Sequence, residues 1–195
     1  MTEQAREFVV VSGLPGSGKT TLARELAPLL GLAFLDKDDI LERLFDSKGT
    51  GDSGWREKLS RESDQIFQAE TNASNGAVLV SFWHVPGMGP RSGTPIDWLR
   101  GLGGRLLNLH CFCAAEVAAE RYLRRKRHPG HLDRKKSYDE LLADFLALDR
   151  LGPVEIEPRV EVDTGGPFML DDVAAKVKKS LGRNTTGPDG VQRDK

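Results

Sequence analysis

An eight-residue stretch near the start of the chain constrains the fold more than any other feature. Residues 13–20 read Gly-Leu-Pro-Gly-Ser-Gly-Lys-Thr, which matches the pattern G-x-x-x-x-G-K-[ST]. The apolar run at residues 8–11 predicts a strand before it, and apolar residues at helical spacing over 21–30 predict a helix after it. Strand, glycine loop and helix in this order favour a phosphate-binding loop. The alternative is a glycine-rich turn that binds nothing and matches every fixed position by chance.

A loop of this sequence has the chemistry to hold a chain of phosphates. Its glycines let the backbone turn tightly and approach an anion with no side chain in between. Successive N–H groups then face one concavity, to which the positive end of the following helix adds. The pattern assigns Lys19 to the β- and γ-phosphates and the Thr20 hydroxyl to Mg²⁺. We expect nucleotide contacts from the whole run of Gly13, Leu14, Pro15, Gly16, Ser17, Gly18, Lys19, Thr20 and Thr21.

The composition limits the class of protein. A length of 195 residues suggests one domain, and a formal net charge of −1 gives no basic field that would attract nucleic acid. No apolar run approaches the roughly 20 residues of a membrane span, and the first residues lack the apolar core of a signal peptide. Cys111 and Cys113 stand in an apolar stretch that predicts buried thiols rather than a disulfide or a metal site. Together these features predict a cytoplasmic protein.

Short apolar runs alternate with helical patterns along the chain, which predicts an α/β fold with a parallel sheet and ligands at the carboxyl ends of its strands. We expect strands at residues 7–12, 32–35, 77–82, 106–113 and 159–163. We expect helices at residues 19–30, from 40, and at 55–75, 96–102, 114–127, 138–151 and 171–181, the last with Asp171 as a cap. Residues 46–54 are predicted to be a flexible polar loop. Residues 1–181 form the single predicted domain, followed by a disordered tail at 182–195.

Two aspartates follow the second predicted strand, which we expect to lie next to the strand that carries the loop. A kinase needs a group that takes or orients the proton of the attacking hydroxyl, and Asp38 is our candidate for that base. Asp36 is better placed for Mg²⁺, through water. The alternative is that these carboxylates only cap the helix from Ile40, a role that fits Asp39 best.

Eight basic residues stand between positions 121 and 136, around a helix break at residues 127–131. They are Arg121, Arg124, Arg125, Lys126, Arg127, Arg134, Lys135 and Lys136. Phosphoryl transfer requires positive charge on the transferred group while water is excluded, and a mobile basic lid supplies both. Arg121 and Arg125 are our first choices for that contact. The alternative is a solvated basic face, which is what a run of charge usually means.

Three segments together resemble the small P-loop kinases, a group that includes gluconate kinase, shikimate kinase, chloramphenicol phosphotransferase and polynucleotide kinases. They are residues 13–23, the Leu-Asp-Lys-Asp-Asp-Ile run at 35–40, and the basic run at 121–131. The resemblance implies a three-layer P-loop NTPase fold with a five-stranded parallel sheet, ATP and Mg²⁺ as cofactors, and Asp38 as the general base. It also implies a lid at about 124–137 and an adenine-contacting loop at 162–167.

The chain departs from the group's pattern after the third strand. A Walker B carboxylate often follows that strand, but here the run is Ser81-Phe82-Trp83-His84. Metal binding must then rest on Thr20, water and Asp36. Trp83 is predicted either to line a substrate pocket or to be core, and His84 to be a hydrogen-bonding partner. Arg56 and Arg61 follow the polar loop, where they could close over an acceptor or belong to a surface helix.

The leading hypothesis is an ATP- and Mg²⁺-dependent phosphotransferase that acts on a hydroxyl of a small molecule. Its catalytic residues would be Asp38, Lys19, Arg121 and Arg125. A polynucleotide 5′-hydroxyl kinase is an alternative, disfavoured because the chain lacks a basic track with interleaved aromatic residues. A regulatory NTPase without a small acceptor is the alternative from another class. Nothing in the sequence identifies the acceptor or indicates an oligomeric interface.

Overall fold

The computed structural model describes residues 5–132 and 136–183 of the chain, and its centre is a five-stranded sheet. The strands are Glu7–Ser12 (β1), Ala33–Asp36 (β2), Gly76–Val80 (β3), Arg105–Phe112 (β4) and Arg159–Asp163 (β5). They follow the order β2-β3-β1-β4-β5, and every neighbouring pair is parallel. The predicted parallel sheet is confirmed, with the strand that leads into the glycine loop at its middle.

Helices cover both faces of the sheet and produce the three predicted layers. The α-helices are Lys19–Leu30 (α1), Lys37–Lys48 (α2), Ser53–Ala73 (α3), Ala115–Arg124 (α4), Tyr138–Asp149 (α5) and Leu170–Ser180 (α6). Two 3₁₀ helices occupy Asp97–Leu102 and Pro129–His131. Helices α1 and α6 share one hydrophobic core, while α2 and α3 contribute to the core on the opposite face.

The middle strand β1 shows why the sheet is covered on both sides. Its residues 8–11 are all fully buried. Val9 and Val11 pack in the core under α1 and α6, whereas Phe8 and Val10 pack in the core that holds Phe67 of α3. Successive strand residues point to opposite faces, so a continuous apolar run fits a strand between two layers of helices. Each such side chain contributes about 1.5–3 kcal/mol on burial.

The strands beside β1 are β3 and β4, and the prediction that β2 lies there is wrong. In the register, Val78 of β3 lies opposite Val9, and Leu79 lies opposite Leu35 of β2. All five residues of β3 are buried, which suits an interior strand. Strand β2 has only four residues and begins with the exposed Ala33, which suits an edge. The aspartates after β2 therefore lie one strand further from the loop than expected.

The predicted polar loop at 46–54 is mostly helical. Helix α2 continues to Lys48 and α3 already begins at Ser53, so only residues 49–52 connect them. The side chain of Asp52 explains the early start, because its Oδ1 accepts a hydrogen bond of 2.9 Å from the N–H of Trp55. The Gly/Ser/Asp stretch that contains this N-cap has the composition of a loop, so the sequence pattern does not reveal the helix start.

Two helix ends also differ from the expectation. Helix α6 begins at Leu170 after Met169, with no side-chain cap, so the capping role given to Asp171 is wrong. Helix α4 ends at Arg124 rather than at residue 127. Residue Arg125 is extended, with φ −73° and ψ 142°, and the chain turns there toward the site.

Parts of two predicted segments lie outside the described residues. Residues 133–135 of the proposed lid are among them, as are residues 184–195 of the proposed tail. The guanidinium of Arg183 is described, and its Nε donates a 2.7 Å hydrogen bond to Glu7 at the start of β1. The domain boundary at 181 and the disordered tail stay predictions.

Two further expectations concern the thiols and the membrane. Cys111 and Cys113 are buried free thiols, as predicted. Burial raises the pKa of Cys111 to about 12, so that thiol stays protonated. Within residues 5–132 and 136–183, no helix has both the length and the apolar character that crossing a membrane would require.

Candidate active site

The glycine loop between β1 and α1 lies too close to its surroundings for side chains at two positions. A Cβ atom on Gly13 would come 2.0 Å from the carbonyl oxygen of Cys111, at the end of β4. A Cβ atom on Gly16 would come 2.2 Å from the carbonyl oxygen of Ala118 in α4. Both glycines also have positive φ, 135° and 85°. The loop is thus wedged between β4 and α4, which fixes the concavity that its backbone forms.

The polar groups of the loop fit a phosphate chain. The hydroxyl of Ser17 is buried and has no hydrogen-bond partner within the described residues. Helix α1 begins after Gly18 with no side-chain cap, so its first N–H groups have no side chain as acceptor. The Nζ of Lys19 donates 2.9 Å to the carbonyl of Leu14 across the loop. Burial lowers the pKa of Lys19 to about 8, a cost that phosphate oxygens would relieve.

Thr20 and Asp36 bring two oxygen groups together, a pair that could hold Mg²⁺. The Thr20 hydroxyl donates 3.0 Å to Oδ2 of Asp36. Burial, followed by the charge of Asp38, raises the pKa of Asp36 to about 6. A hydroxyl and a carboxylate are hard oxygen ligands, and Mg²⁺ takes its remaining ligands from water and substrate phosphates. Among the described residues no cluster of three or more acidic, His or Cys side chains could hold a metal ion.

Asp36 is also the residue that caps helix α2. Its Oδ1 accepts a 2.9 Å hydrogen bond from the N–H of Asp38, and α2 begins at Lys37 rather than at Ile40. The capping role proposed for Asp39 is therefore wrong, and Asp39 instead pairs with Arg24 at the surface. One carboxylate thus positions the helix that presents Asp38 and also faces Thr20.

Asp38 lies at the N-terminus of α2, beside the loop. Its side chain is half exposed, and its Oδ2 lies 2.6 Å from Nη2 of Arg127. Burial favours the neutral acid, but Arg127, His131 and Arg125 outweigh it and hold the pKa of Asp38 below its ordinary value. The carboxylate is ionised at neutral pH, as a proton acceptor must be.

Two arginines of the basic run, Arg125 and Arg127, line a cavity with residues of the loop. Arg125 lies over the Tyr122 ring at 4.3 Å from its centroid. It lines a cavity of about 280 Å³ together with Arg127 and the loop residues Lys19 and Thr20. Arg121, one of our two first choices, is not part of that lining, because its Nη1 donates 2.9 Å to the carbonyl of Thr164 after β5.

The lid segment after Arg127 packs on helix α2. The Phe45 ring lies between two imidazoles: His128 stacks on it at 5.2 Å, and His131 meets it edge-on at 5.6 Å. A Cβ atom on Gly130 would come 2.5 Å from the same ring. His131 also hydrogen-bonds Glu42 at 2.8 Å, so both histidines have structural partners.

Asp38 also lines a second cavity, of about 530 Å³, whose lining contains no residue of the glycine loop. Its wall contains a chain of buried or part-buried polar contacts. Lys37 pairs with Asp64 at 2.6 Å, and Thr94 donates 3.1 Å to the same carboxylate. Ser81 and Thr94 hydroxyls are 2.7 Å apart. Most of the residues that line this cavity are polar or charged, and its volume suits a small polar molecule.

The aromatic and histidine residues after β3 have separate roles. Trp83 is 4% exposed, and its Nε1 donates 2.9 Å to the carbonyl of Val11, so it belongs to the core. His84 contacts the carbonyl of Ser92 at 2.7 Å, as the predicted hydrogen-bonding partner. Phe82 lines both the 280 Å³ and the 530 Å³ cavities. The sequence analysis did not identify it, although it stands where a carboxylate was expected.

Comparisons with known proteins agree with this fold. The AAA domain family (AAA_33) matches residues 8–145, which contain the loop, both aspartates and the described lid arginines. A solved structure from Chloroflexus aurantiacus, described as a candidate kinase, has a TM-score of 0.75 at 25% identity and covers 91% of this chain and 99% of that one. The shikimate kinase from Acinetobacter baumannii in complex with shikimate shares the fold, with a TM-score of 0.55 at 22% identity over 95% and 97% of the two chains.

Curated relatives point to the same group of proteins. The shikimate kinase of Pseudomonas aeruginosa (strain LESB58) is 29% identical over 181 residues, which is 88% of this chain and 96% of that enzyme. Against the first shikimate kinases matched, the chain spans about half of the relative's length or less. The resemblance to the small P-loop kinases is confirmed.

Proposed function

The chain belongs to the AAA domain family, and we propose that it is a phosphotransferase that moves the γ-phosphate of ATP, with Mg²⁺, to a hydroxyl of a small molecule. One observation carries this proposal. Asp38 lines both the cavity at the phosphate loop, beside Lys19 and Thr20, and the larger cavity next to it. A group that takes a proton from an acceptor must reach the acceptor and the phosphate together.

The residues of the chain divide the reaction between them. The loop and Lys19 hold the phosphates, while Thr20 and Asp36 would hold Mg²⁺, which neutralises charge on the β- and γ-phosphates when bound. An acceptor in the larger cavity presents its hydroxyl to Asp38, which orients that hydroxyl and accepts its proton. Arg125 and Arg127 add positive charge from the lid and exclude water over the transferred group.

The second cavity supports a small acceptor over a nucleic acid. Its volume of about 530 Å³ lies within the ordinary range for small-molecule sites. The polar wall of Lys37, Asp64, Thr94 and Ser81 offers donors and acceptors to a molecule with several hydroxyl groups. Relatives that act as shikimate kinases make shikimate the first acceptor to try. Cys111 and Cys113 are free thiols, which are typical of proteins in the reducing cytoplasm, and we propose that compartment.

The experiment is turnover of Mg²⁺-ATP by the purified protein against a panel of acceptors. The panel holds shikimate, sugar acids, nucleosides, hydroxylated antibiotics and 5′-hydroxyl oligonucleotides. We expect one small acceptor to raise ADP release well above background, and Asp38→Asn to lower that kcat by about 10²–10⁴-fold. Asp39→Asn is the matched control, since Asp39 is adjacent but pairs with Arg24 at the surface.

Three results would contradict the proposal. ATP hydrolysis that no acceptor accelerates would favour the regulatory NTPase. An Asp38→Asn variant as active as the wild type would remove Asp38 from the chemistry. Acceleration by the oligonucleotide alone would replace the small acceptor with a nucleic-acid end.

A further inference from the structure

Arg56 stands where the two cavities of the site meet. It belongs to the first turn of α3, and it lines both the 280 Å³ cavity at the phosphate loop and the 530 Å³ acceptor cavity. The two cavities share four lining residues, Asp38, Arg56, Ser81 and Phe82. Arg56 is the cation of this set. In an in-line transfer the moving phosphoryl group must cross this boundary.

The other cations that line the acceptor cavity each lie beside a carboxylate. Lys37 pairs with Asp64 at 2.6 Å. Arg61 forms an ion pair with Glu57 one turn earlier on α3, and Arg91 lies 3.6 Å from the same carboxylate. Each of these cations therefore has a carboxylate within ion-pair distance, and Arg61 and Arg91 share the one on Glu57.

Arg56 differs from them, because no described carboxylate forms an ion pair with it. None of the carboxylates in the described part of the chain pairs with it, and its Nε is buried without a hydrogen-bond partner there. Buried polar atoms in native proteins almost always have partners, and an exception indicates a ligand or another functional role. An arginine presents five donors in a planar fork, which matches the oxygens of a phosphoryl group.

The backbone at Arg56 is held firmly, as an electrostatic catalyst requires. The N–H of Arg56 donates 3.0 Å to the carbonyl of Asp52, whose side chain caps the preceding Trp55 at 2.9 Å. The indole Nε1 of Trp55 donates 2.9 Å to the carbonyl of Gly49. The short connection 49–52 and the first turn of α3 therefore form one hydrogen-bonded unit that fixes where the guanidinium starts.

We propose that Arg56 is a further catalytic residue, which contacts the phosphoryl group in transfer from the acceptor side. This inference rests on the proposed function. As the acceptor oxygen bonds to phosphorus, the bond from phosphorus to the bridging oxygen breaks, ADP leaves with that electron pair, and the hydroxyl proton passes to Asp38. Lys19 and Arg125 face the transferred oxygens from the loop and the lid, and Arg56 faces them from α3. The charge in the transition state is thus enclosed from three directions.

Binding of Mg²⁺-ADP with and without aluminium fluoride tests this, because the fluoride complex mimics the phosphoryl group in transfer and needs no identified acceptor. The wild type should bind Mg²⁺-ADP much more tightly when aluminium fluoride is present. In Arg56→Ala, affinity for Mg²⁺-ADP alone should stay within about twofold, whereas the gain from aluminium fluoride should fall by about 10²-fold. Arg56→Lys should recover part of the gain, because it keeps the charge and loses the fork.

Lys58→Ala is the matched control, since Lys58 lies on the same helix, stacks over the Trp55 ring and lines neither cavity. It should retain the full gain. An Arg56→Ala protein that gains as much as the wild type overturns the proposal, and so does a wild type that gains nothing from aluminium fluoride. Retained Mg²⁺-ADP affinity shows that a variant is folded. A wild type that fails to bind Mg²⁺-ADP at all sinks the proposed function itself, which separates the two failures.

Discussion

Arg127 and Asp38 lie 2.6 Å apart although 89 residues separate them in the chain. The contact joins the end of the lid arginines to the start of α2. It places the permanent positive charge of a guanidinium beside the carboxylate that we propose as the base. The basicity of Asp38 is therefore set by a residue on a different structural element.

The first prediction concerns the pH dependence of activity in Arg127→Gln. Burial raises the pKa of Asp38, and Arg127 is the largest of the charges that hold it below its ordinary value. Removal of Arg127 leaves burial less opposed, so the pKa rises and the ionised form is lost at a higher pH. We expect the acid limb of the kcat/KM profile to move to higher pH, measured between pH 4 and 8 with the identified acceptor. Arg124→Gln, which removes an exposed guanidinium paired with Glu120, should leave that limb in place.

A second prediction concerns the stability of Asp36→Asn without ligands. The pKa of Asp36 is raised by burial from 3.8 to about 6, so its ionised form destabilises the fold above pH 6. At 1.36 kcal/mol per pKa unit, the uncharged amide should raise the free energy of unfolding at pH 7.5 by up to about 3 kcal/mol. The gain should shrink as pH falls through 6 and vanish below 3.8.

Urea unfolding at pH 7.5, 5 and 3.5 measures the effect of Asp36→Asn on stability. A second measurement is the Mg²⁺ dependence of ATP binding. The same variant should lose at least about tenfold in Mg²⁺-dependent ATP affinity, because it lacks the ligand charge. A variant less stable than wild type at pH 7.5 with unchanged Mg²⁺ dependence would contradict both parts. Asp39→Asn should change neither quantity appreciably.

A third prediction compares Gly16→Ala with Gly18→Ala. The two glycines have nearly the same φ, 85° and 86°, so the strain of a left-handed alanine, about 1–2 kcal/mol, is common to both. They differ in space: a Cβ on Gly16 meets the Ala118 carbonyl at 2.2 Å, whereas a Cβ on Gly18 meets nothing within 4 Å. Thermal unfolding should therefore show a markedly larger loss for Gly16→Ala. Equal losses would show that the loop is not held against α4.

Much of the fold follows from local sequence signals. The apolar run of β1, the glycine loop and the Gly31 stop of α1 lie in one continuous stretch, so their pattern predicts them within a residue. The order of β2 and β3 in the sheet cannot be predicted from local signals, because strand pairing depends on contacts between distant segments. The helix at residues 53–54 was missed because Asp52 caps it from a stretch that has a loop's composition.

The choice between lid arginines shows where the sequence analysis stops. Helical spacing places Arg121 and Arg125 on one face, provided that the helix continues. The helix ends at Arg124, and the extended backbone of Arg125 turns the following residues, Arg127 included, toward Asp38. Arg121 stays on the helix and bonds Thr164 instead. Pro129 lies two residues after Arg127 and disfavours helix at the residue before it, so it was the sequence signal that could have predicted this turn.

The packing of Phe45 between His128 and His131 has a consequence for the strength of the proposed base. Phe45 lies on α2, the helix that begins beside Asp38, and the same lid segment carries Arg127. Any movement that lifts residues 127–131 off this helix must pull both imidazoles from the ring and the guanidinium from the carboxylate. An opening of this kind would also raise the proton affinity of Asp38, so the strength of the proposed base is coupled to the position of the lid.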